Sequence, residues 1–255
     1  VRIEHLYRYP VKGLSAEALE EAHVNPGEGI AWDRAFAMAQ GDAAFDPAAP
    51  VWIKKTNFMC LMANAEVAAL RSSFDPATGV LRVQAPDGDV IEASPLHAPG
   101  RLRLAAWLAA YMRAAGGEDC VRGQPVFHHV PGFVFGDQKL PVVSLINLAS
   151  LADLEAHVGA ARDRLRFRAN IYFSGLPALA ELDWAGRELV VGGARLRVTK
   201  RTVRCPATQV NPMTAQRDAN PVLELQAAYG HADLGIHAEV IGGGRFAVGD
   251  AIEVV

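Results

Sequence analysis

The run Lys200-Arg201-Thr202-Val203-Arg204-Cys205-Pro206, continuing through Thr208 to Asn211-Pro212, places one cysteine among cations. Neighbouring Lys and Arg favour the thiolate, which is both a nucleophile and a soft metal ligand. Against this stands the reading of Cys205 as a small buried hydrophobe. Cys60 and Cys120 lie far from it and from each other in sequence. Their spacing gives neither a CxxC zinc site nor a disulfide framework. His128-His129 offers two imidazoles, but adjacent residues on a strand face opposite ways and could not share one ion. Gly242-Gly243-Gly244 is followed by neither a helical pattern nor Lys-Ser/Thr, so a strand turn is expected rather than a phosphate cradle. His231 and His237 flank Asp233-Leu234-Gly235 and are read as structural before catalytic.

Positioning these residues requires a strand-rich frame. Turn signals at Asn25-Pro26-Gly27, Asp75-Pro76, Pro86-Asp87-Gly88, Gly192-Gly193 and Gly242-Gly243-Gly244 separate short runs of Val, Ile and Leu. Leu189-Val190-Val191, the two glycines and Ala194 to Lys200 read as a hairpin, with Leu196 and Val198 facing a core. Another strand, turn and strand is expected from Phe246 to Val255. Helices are fewer. Leu104, Trp107, Leu108, Tyr111 and Met112 recur at helical spacing before the Gly116-Gly117 stop. A second helix is expected from Ser150, acting as its cap, with Leu151, Leu154 and Val158 buried. Residues 58–71 fit a helix and a strand equally.

The 255 residues allow one large domain or two modest ones. The long helix and its glycine stop suggest a first domain over 1–117 and a second over 118–255. With 51% apolar and 21% charged residues, the chain is neither disordered nor fibrous. A net charge of -3 is too balanced for the broad positive field of a nucleic-acid or anionic-membrane binder. Any bound anion must be held locally. The longest apolar stretch, 104–115, falls short of the roughly 20 residues that cross a bilayer. Val1-Arg2-Ile3-Glu4-His5 lacks a basic region followed by an apolar run, so no secretory leader is expected and a cytoplasmic location is the default.

Arg204-Cys205 with Thr208 and Pro212 resembles the cysteine motif of the MOSC family, named after the C-terminal domain of molybdenum cofactor sulfurases. Asn211 stands where the family has Asp. Tyr9-Pro10-Val11-Lys12-Gly13-Leu14, then Gly29 and Asp33-Arg34, is similar to the family's N-terminal domain, with Gly13 in place of Ser. Ser150-Leu151-Ala152-Asp153-Leu154 and Arg166-Phe167-Arg168-Ala169-Asn170-Ile171 resemble two further family elements, with Ala169 in place of Pro. These matches fall in the family's order and span nearly the whole chain.

The resemblance implies a β-rich α+β protein, a MOSC β-barrel domain joined to a smaller N-terminal β-rich domain, with a molybdenum cofactor (Mo-molybdopterin) in the cleft between them. It makes Cys205 the metal ligand and the catalytic residue. It assigns Lys12, Arg34, Asn147, Arg168, Asn170, Arg204 and Thr208 to cofactor binding. Forked Arg donors suit a phosphate and an amide suits a pterin edge. The implied activity is reduction of N-hydroxylated or other N-oxygenated small molecules. Three cysteines cannot supply the four ligands of a plant-type iron–sulfur cluster, and no GxGxxG fingerprint follows a strand. Electrons are therefore expected from a separate ferredoxin or flavoprotein reductase. Alternatives are a cofactor carrier or sulfur-transfer protein bearing a persulfide on Cys205, and a cofactor-free cysteine transferase.

Overall fold

The long strand Ala194–Val203 sets the frame of the molecule. Ala194, Leu196, Val198 and Thr202 are buried, while Arg195, Arg197, Lys200 and Arg201 face solvent. A computed structural model, describing residues 1–255, places this strand in an eight-stranded sheet. Its order runs Ile252–Val254, Glu188–Val191, Ala194–Val203, Asp233–Gly242, Val143–Asn147, Ile171–Ser174, Arg2–Arg8 and Glu17–Leu19. Neighbours are antiparallel except Val143–Asn147 beside Ile171–Ser174, which are parallel. Three smaller sheets complete a strand-rich α+β fold. Its helices are α1 (Ala98–Gly116), α2 (Leu148–Val158) and α3 (Pro221–Tyr229).

Two principal cores follow from this layout. One packs α1, through Leu104, Leu108 and Met112, against Phe36, Met59, Phe74 and Leu81. The other fills the large sheet with Ile3, Leu145, Ile171, Phe173, Leu196 and Ile236. Strands from both sides of residue 117 share sheets: Arg2–Arg8 pairs with Ile171–Ser174, and Glu21–Asn25 pairs with Gly244–Ala247. The first thirty residues thus thread both halves of the sequence.

The hairpin at Gly192-Gly193 forms, with Val191 opposite Ala194 and Gly192 at φ +53°. The helix from Leu104 to Met112 also forms, with Trp107 and Tyr111 stacked at 6.0 Å on its half-buried flank. Elsewhere the sequence expectation is corrected. The cap of α2 is Asn147, whose Oδ1 accepts from the Ala149 amide, while Ser150 lies buried inside the helix and donates to Glu181. The ambiguous stretch around residues 58–71 holds a short turn of 3-10 helix, Ala65–Ala69, and the start of strand Arg71–Asp75. The two strands expected at the end of the sequence do form, but not as a pair: Gly244–Ala247 joins Glu21–Asn25, and Ile252–Val254 joins Glu188–Val191. Helix α3, capped by Asn220 and opened by Pro221, is too short to give a periodic signal. No helix is long and apolar enough to cross a membrane.

Candidate functional site

Cys205 sits where the strand Ala194–Val203 gives way to a 3-10 turn, Pro206–Gln209. The Thr208 amide and hydroxyl both donate to the Cys205 carbonyl, at 3.0 and 2.9 Å. This locks the turn and presents the thiol to a cleft of about 240 Å³. The cleft brings together Lys12, Arg34, Arg168, Asn170, Arg204, Cys205 and Thr208. Asn147 is corrected: it does not line the cleft, because its Oδ1 caps α2 and its Nδ2 donates to the Pro177 carbonyl at 2.8 Å.

The N-terminal motif is folded onto itself around Tyr9. Its amide donates to Asp33 Oδ1 at 2.7 Å, and its carbonyl accepts from the Arg34 amide at 2.8 Å. Lys12 follows one turn later, its amide bonded to the Phe36 carbonyl at 2.8 Å. Gly13 has φ +88°, and a Cβ there would stand 3.2 Å from the Met59 carbonyl. The glycine in place of the family's serine therefore fits a left-handed position against a neighbouring backbone.

Arg34 and Arg168 also have left-handed backbones, at φ 52° and 53°. Such conformations are costly for L-residues and concentrate at functional sites. Burial opposes the charge on Arg34, but its partner Asp33, together with Tyr9 and Asp137, raises its pKa. Burial pulls Arg168 down to about 10, so it stays cationic at neutral pH. Arg168 donates to the Leu14 carbonyl at 2.6 Å and leaves other guanidinium donors unengaged.

Several side chains in the cleft are already satisfied. Asn170 Oδ1 accepts from the Ser144 amide and hydroxyl, and its Nδ2 donates to the Tyr7 carbonyl. Arg204 donates to the Leu234 and Phe167 carbonyls, and burial lowers its pKa to about 10. Asn170 thus ties Ser144 to Tyr7, and Arg204 ties the residue before Cys205 to Leu234 and Phe167, so both contribute charge or shape more than free donors. Gly235 lets the strands close there, since a Cβ would come within 2.3 Å of the Leu145 carbonyl.

Lys55, Asp137 and Thr202 line the same cleft and escaped the sequence reading of the site, and His237, read from sequence as structural before catalytic, lines it too. Lys55 Nζ lies 3.0 Å from Cys205 Sγ and 3.1 Å from Asp137 Oδ2. Asp137 also accepts from Lys12 Nζ, whose second partner is the Phe135 carbonyl at 3.0 Å. Burial would raise the Asp137 carboxyl, but the two ammonium groups hold it well below the usual carboxylate range. Burial opposes the charge on Lys55, yet Asp137 and the Cys205 sulfur raise its pKa. Burial lowers Lys12, with Asp137 opposing. His237 stands opposite Ser144 and Lys200 on the neighbouring strands. Burial, then Arg204 and Lys200, push its pKa down to about 3, so its ring is neutral.

Cations dominate this cleft: Lys12, Arg34, Lys55, Arg166, Arg168 and Arg204 outnumber Glu28, Asp33 and Asp137. Buried Thr202 Oγ1, His237 Nδ1 and Arg166 Nε have no hydrogen-bond partner. Such orphans are uncommon and suit a polar ligand. No group of three His, Cys, Asp or Glu side chains is placed to hold a metal, so Cys205 belongs to no protein ligand set. A metal here would have to bring its other ligands, as a pterin dithiolene does. The residues present fit a phosphate-bearing group of that kind.

Cys60 lines the cleft as well, buried beside Gly13, with its thiol pushed up by burial. Cys120 lies at the end of α1, its Sγ 3.0 Å from the Gly116 carbonyl. His128 packs on Phe45 and Phe135 while His129 packs on Phe36 and Trp32, so the pair splits between two aromatic clusters. At Gly244 a Cβ would meet the Gly193 carbonyl at 2.2 Å, which explains a glycine at this strand junction.

Residues 1–110 match the MOSC N-terminal beta barrel domain, and residues 133–253 match the MOSC domain. Over 89 residues, 35% of this chain, the sequence is 33% identical to mitochondrial amidoxime-reducing component 1 of Homo sapiens. That stretch spans 26% of the human protein. Among solved structures, the YuaD protein from Bacillus subtilis is similar at TM-score 0.45 and 17% identity, covering 99% of this chain and 94% of that one. YiiM from Geobacillus stearothermophilus is similar at TM-score 0.35 and 18% identity, covering 44% of this chain and 53% of that one.

Proposed function

This chain belongs to the MOSC family, whose domains are associated with binding of the molybdenum cofactor, and on that premise we propose that it is a molybdenum-dependent reductase of N-hydroxylated or N-oxygenated compounds. The observation that carries this reading is the Cys205 thiol presented to a cation-rich cleft with orphaned buried polar atoms in its walls. A partial match to a human protein named for reducing amidoximes supports the substrate class. The overall conversion is R–NH–OH plus two electrons and two protons giving R–NH2 and water.

When bound, the cofactor would supply oxygen removal and two-electron redox chemistry. Cys205 would hold the metal through its thiolate. Arg34, Arg168 and Lys12 would hold the terminal phosphate, since each lines the cleft as a nitrogen donor fixed by a backbone contact. Thr202 Oγ1 and His237 Nδ1 would bond polar edges of the ligand as neutral groups. Exposed Leu140 and Val203, both on the cleft lining, offer an apolar rim to the organic part of a substrate.

The test is metal and pterin analysis of protein purified from a host that makes the cofactor, together with turnover of an N-hydroxylated base. Molybdenum and pterin near stoichiometric with the chain, and turnover with an artificial reductant, are expected. Bound cofactor without turnover would move the protein to the carrier class. Absence of both metal and pterin would overturn the assignment.

A further inference from the structure

We infer that Lys55 is a positioning residue for the metal ligand: its ammonium, anchored by Asp137, bonds the Cys205 sulfur and stabilises the electron-rich state of a metal held there. The inference rests on the assignment of Cys205 as ligand. Its basis is a chain of contacts from three separate segments. Lys55 opens the 3-10 turn Lys55–Asn57, Asp137 lies in the loop before strand Val143–Asn147, and Cys205 follows strand Ala194–Val203. Nζ is 3.0 Å from Sγ on one side and 3.1 Å from Asp137 Oδ2 on the other. The same carboxylate accepts from Lys12, so its negative charge is shared by two ammonium groups. Lys55 is three-quarters buried, which limits solvent screening of its charge at the sulfur.

A thiolate has lone pairs enough to bind a metal and accept an N–H bond at once. Such outer contacts orient a ligand and tune the metal. Hydrogen bonds to ligating sulfur and nearby positive charge both favour the reduced state, as for iron–sulfur centres. Lys54 is the natural comparison, since it is adjacent in sequence but exposed and turned away from this network.

The experiment loads wild type, Lys55→Met, Lys55→Arg and Lys54→Met with cofactor. It measures molybdenum content, thermal unfolding and the midpoint potential of the metal by redox titration monitored by electron paramagnetic resonance. The expected result is a negative shift in Lys55→Met, largely restored in Lys55→Arg and absent in Lys54→Met. Failure of Lys55→Met to retain molybdenum, with folding intact and Lys55→Arg loaded, would equally show that the charge at Sγ holds the centre. A folded, fully loaded Lys55→Met with the wild-type potential would overturn the inference. A folded wild type that takes up no molybdenum would instead overturn the cofactor assignment, and this inference with it.

Discussion

Arg34 and Arg168 converge on one aromatic ring: their guanidinium carbons lie 4.8 and 4.3 Å from the centre of the Tyr9 ring, and Arg34 Nη2 donates to the Arg168 carbonyl at 3.1 Å. Residues far apart in sequence thus form one cationic wall, held by cation–π attraction and by left-handed backbones that aim both side chains into the cleft. Two like charges this close repel unless an anion joins them. Replacing either by Glu is expected to lower bound pterin about tenfold or more, from loss of a charge-assisted bond alone. Arg195→Glu, on the exposed face beside Glu188, leaves pterin content at the wild-type level. Released pterin measured fluorimetrically checks this, and equal content in all three variants would remove the wall from the binding site.

Cys205→Ser is expected to abolish metal binding and turnover while preserving the melting curve, because a hydroxyl is nearly isosteric but a hard, poorly ionised ligand. The fitting control is Cys120→Ser, remote from the cleft. Cys60→Ser is a poorer one than its sequence position suggests, since Cys60 is buried in the cleft wall. Metal analysis decides the matter, and a fully loaded Cys205→Ser protein would dismiss the thiolate as ligand.

Asn147→Ala should cost stability and spare the site. It removes a helix cap, worth about 1 kcal/mol. It also strips a donor from the Pro177 carbonyl near buried Glu181. Denaturant midpoints should fall while pterin content per folded protein stays unchanged. Reduced pterin with unchanged stability would restore Asn147 to the site.

The contrast between Asn147 and Lys55 shows what a sequence can and cannot disclose here. Cys205, Arg204 and Thr208 lie within one turn, so local chemistry and motif coincide. Lys12, Arg34 and Arg168 were legible because each sits in a short motif fixed by its own backbone contacts. Asn147 occupies a family position, but the geometry of the strand-to-helix junction turns its amide toward α2. Lys55 reaches the thiol, and Asp137 reaches Lys55, only through tertiary packing of a 3-10 turn and a loop, which no local periodicity encodes. In the large sheet the hairpin at Gly192-Gly193 was foreseeable from alternation, as in Leu196 and Val198. The sheet's pairing of residues 2–8 with 171–174 was not, because strand partners distant in sequence leave no local signal.

His237 predicts a pH dependence of stability. Its folded pKa, about 3, is depressed from 6.5 by burial and then by Arg204. The unfolded chain therefore binds a proton, between these values, that the folded chain does not. Stability is fully present above about pH 6.5 and falls as pH drops toward 3. His237→Gln should flatten the slope between pH 6 and 4, roughly the interval just below the unfolded value. Urea midpoints across this range provide the check, and an identical slope in His237→Gln would show that this ring carries no such linkage.

Reduction of an N-hydroxylated base consumes two electrons, and these 255 residues hold three cysteines spread across Cys60 in the cleft wall, Cys120 at the end of α1 and Cys205 on the cleft. They cannot assemble a four-cysteine cluster. Nor does any strand in this chain lead into a GxGxxG turn that would seat a nicotinamide or flavin dinucleotide. Electrons from another protein would have to enter near the cleft, where exposed Leu140 and Val203 lie with Lys55 and Asp137. The purified chain with substrate and NADH is therefore expected to be inactive, and reduced viologen to restore turnover. Adding a ferredoxin or flavoprotein reductase should do the same. Robust NADH-driven turnover by the pure chain would remove the need for a separate donor.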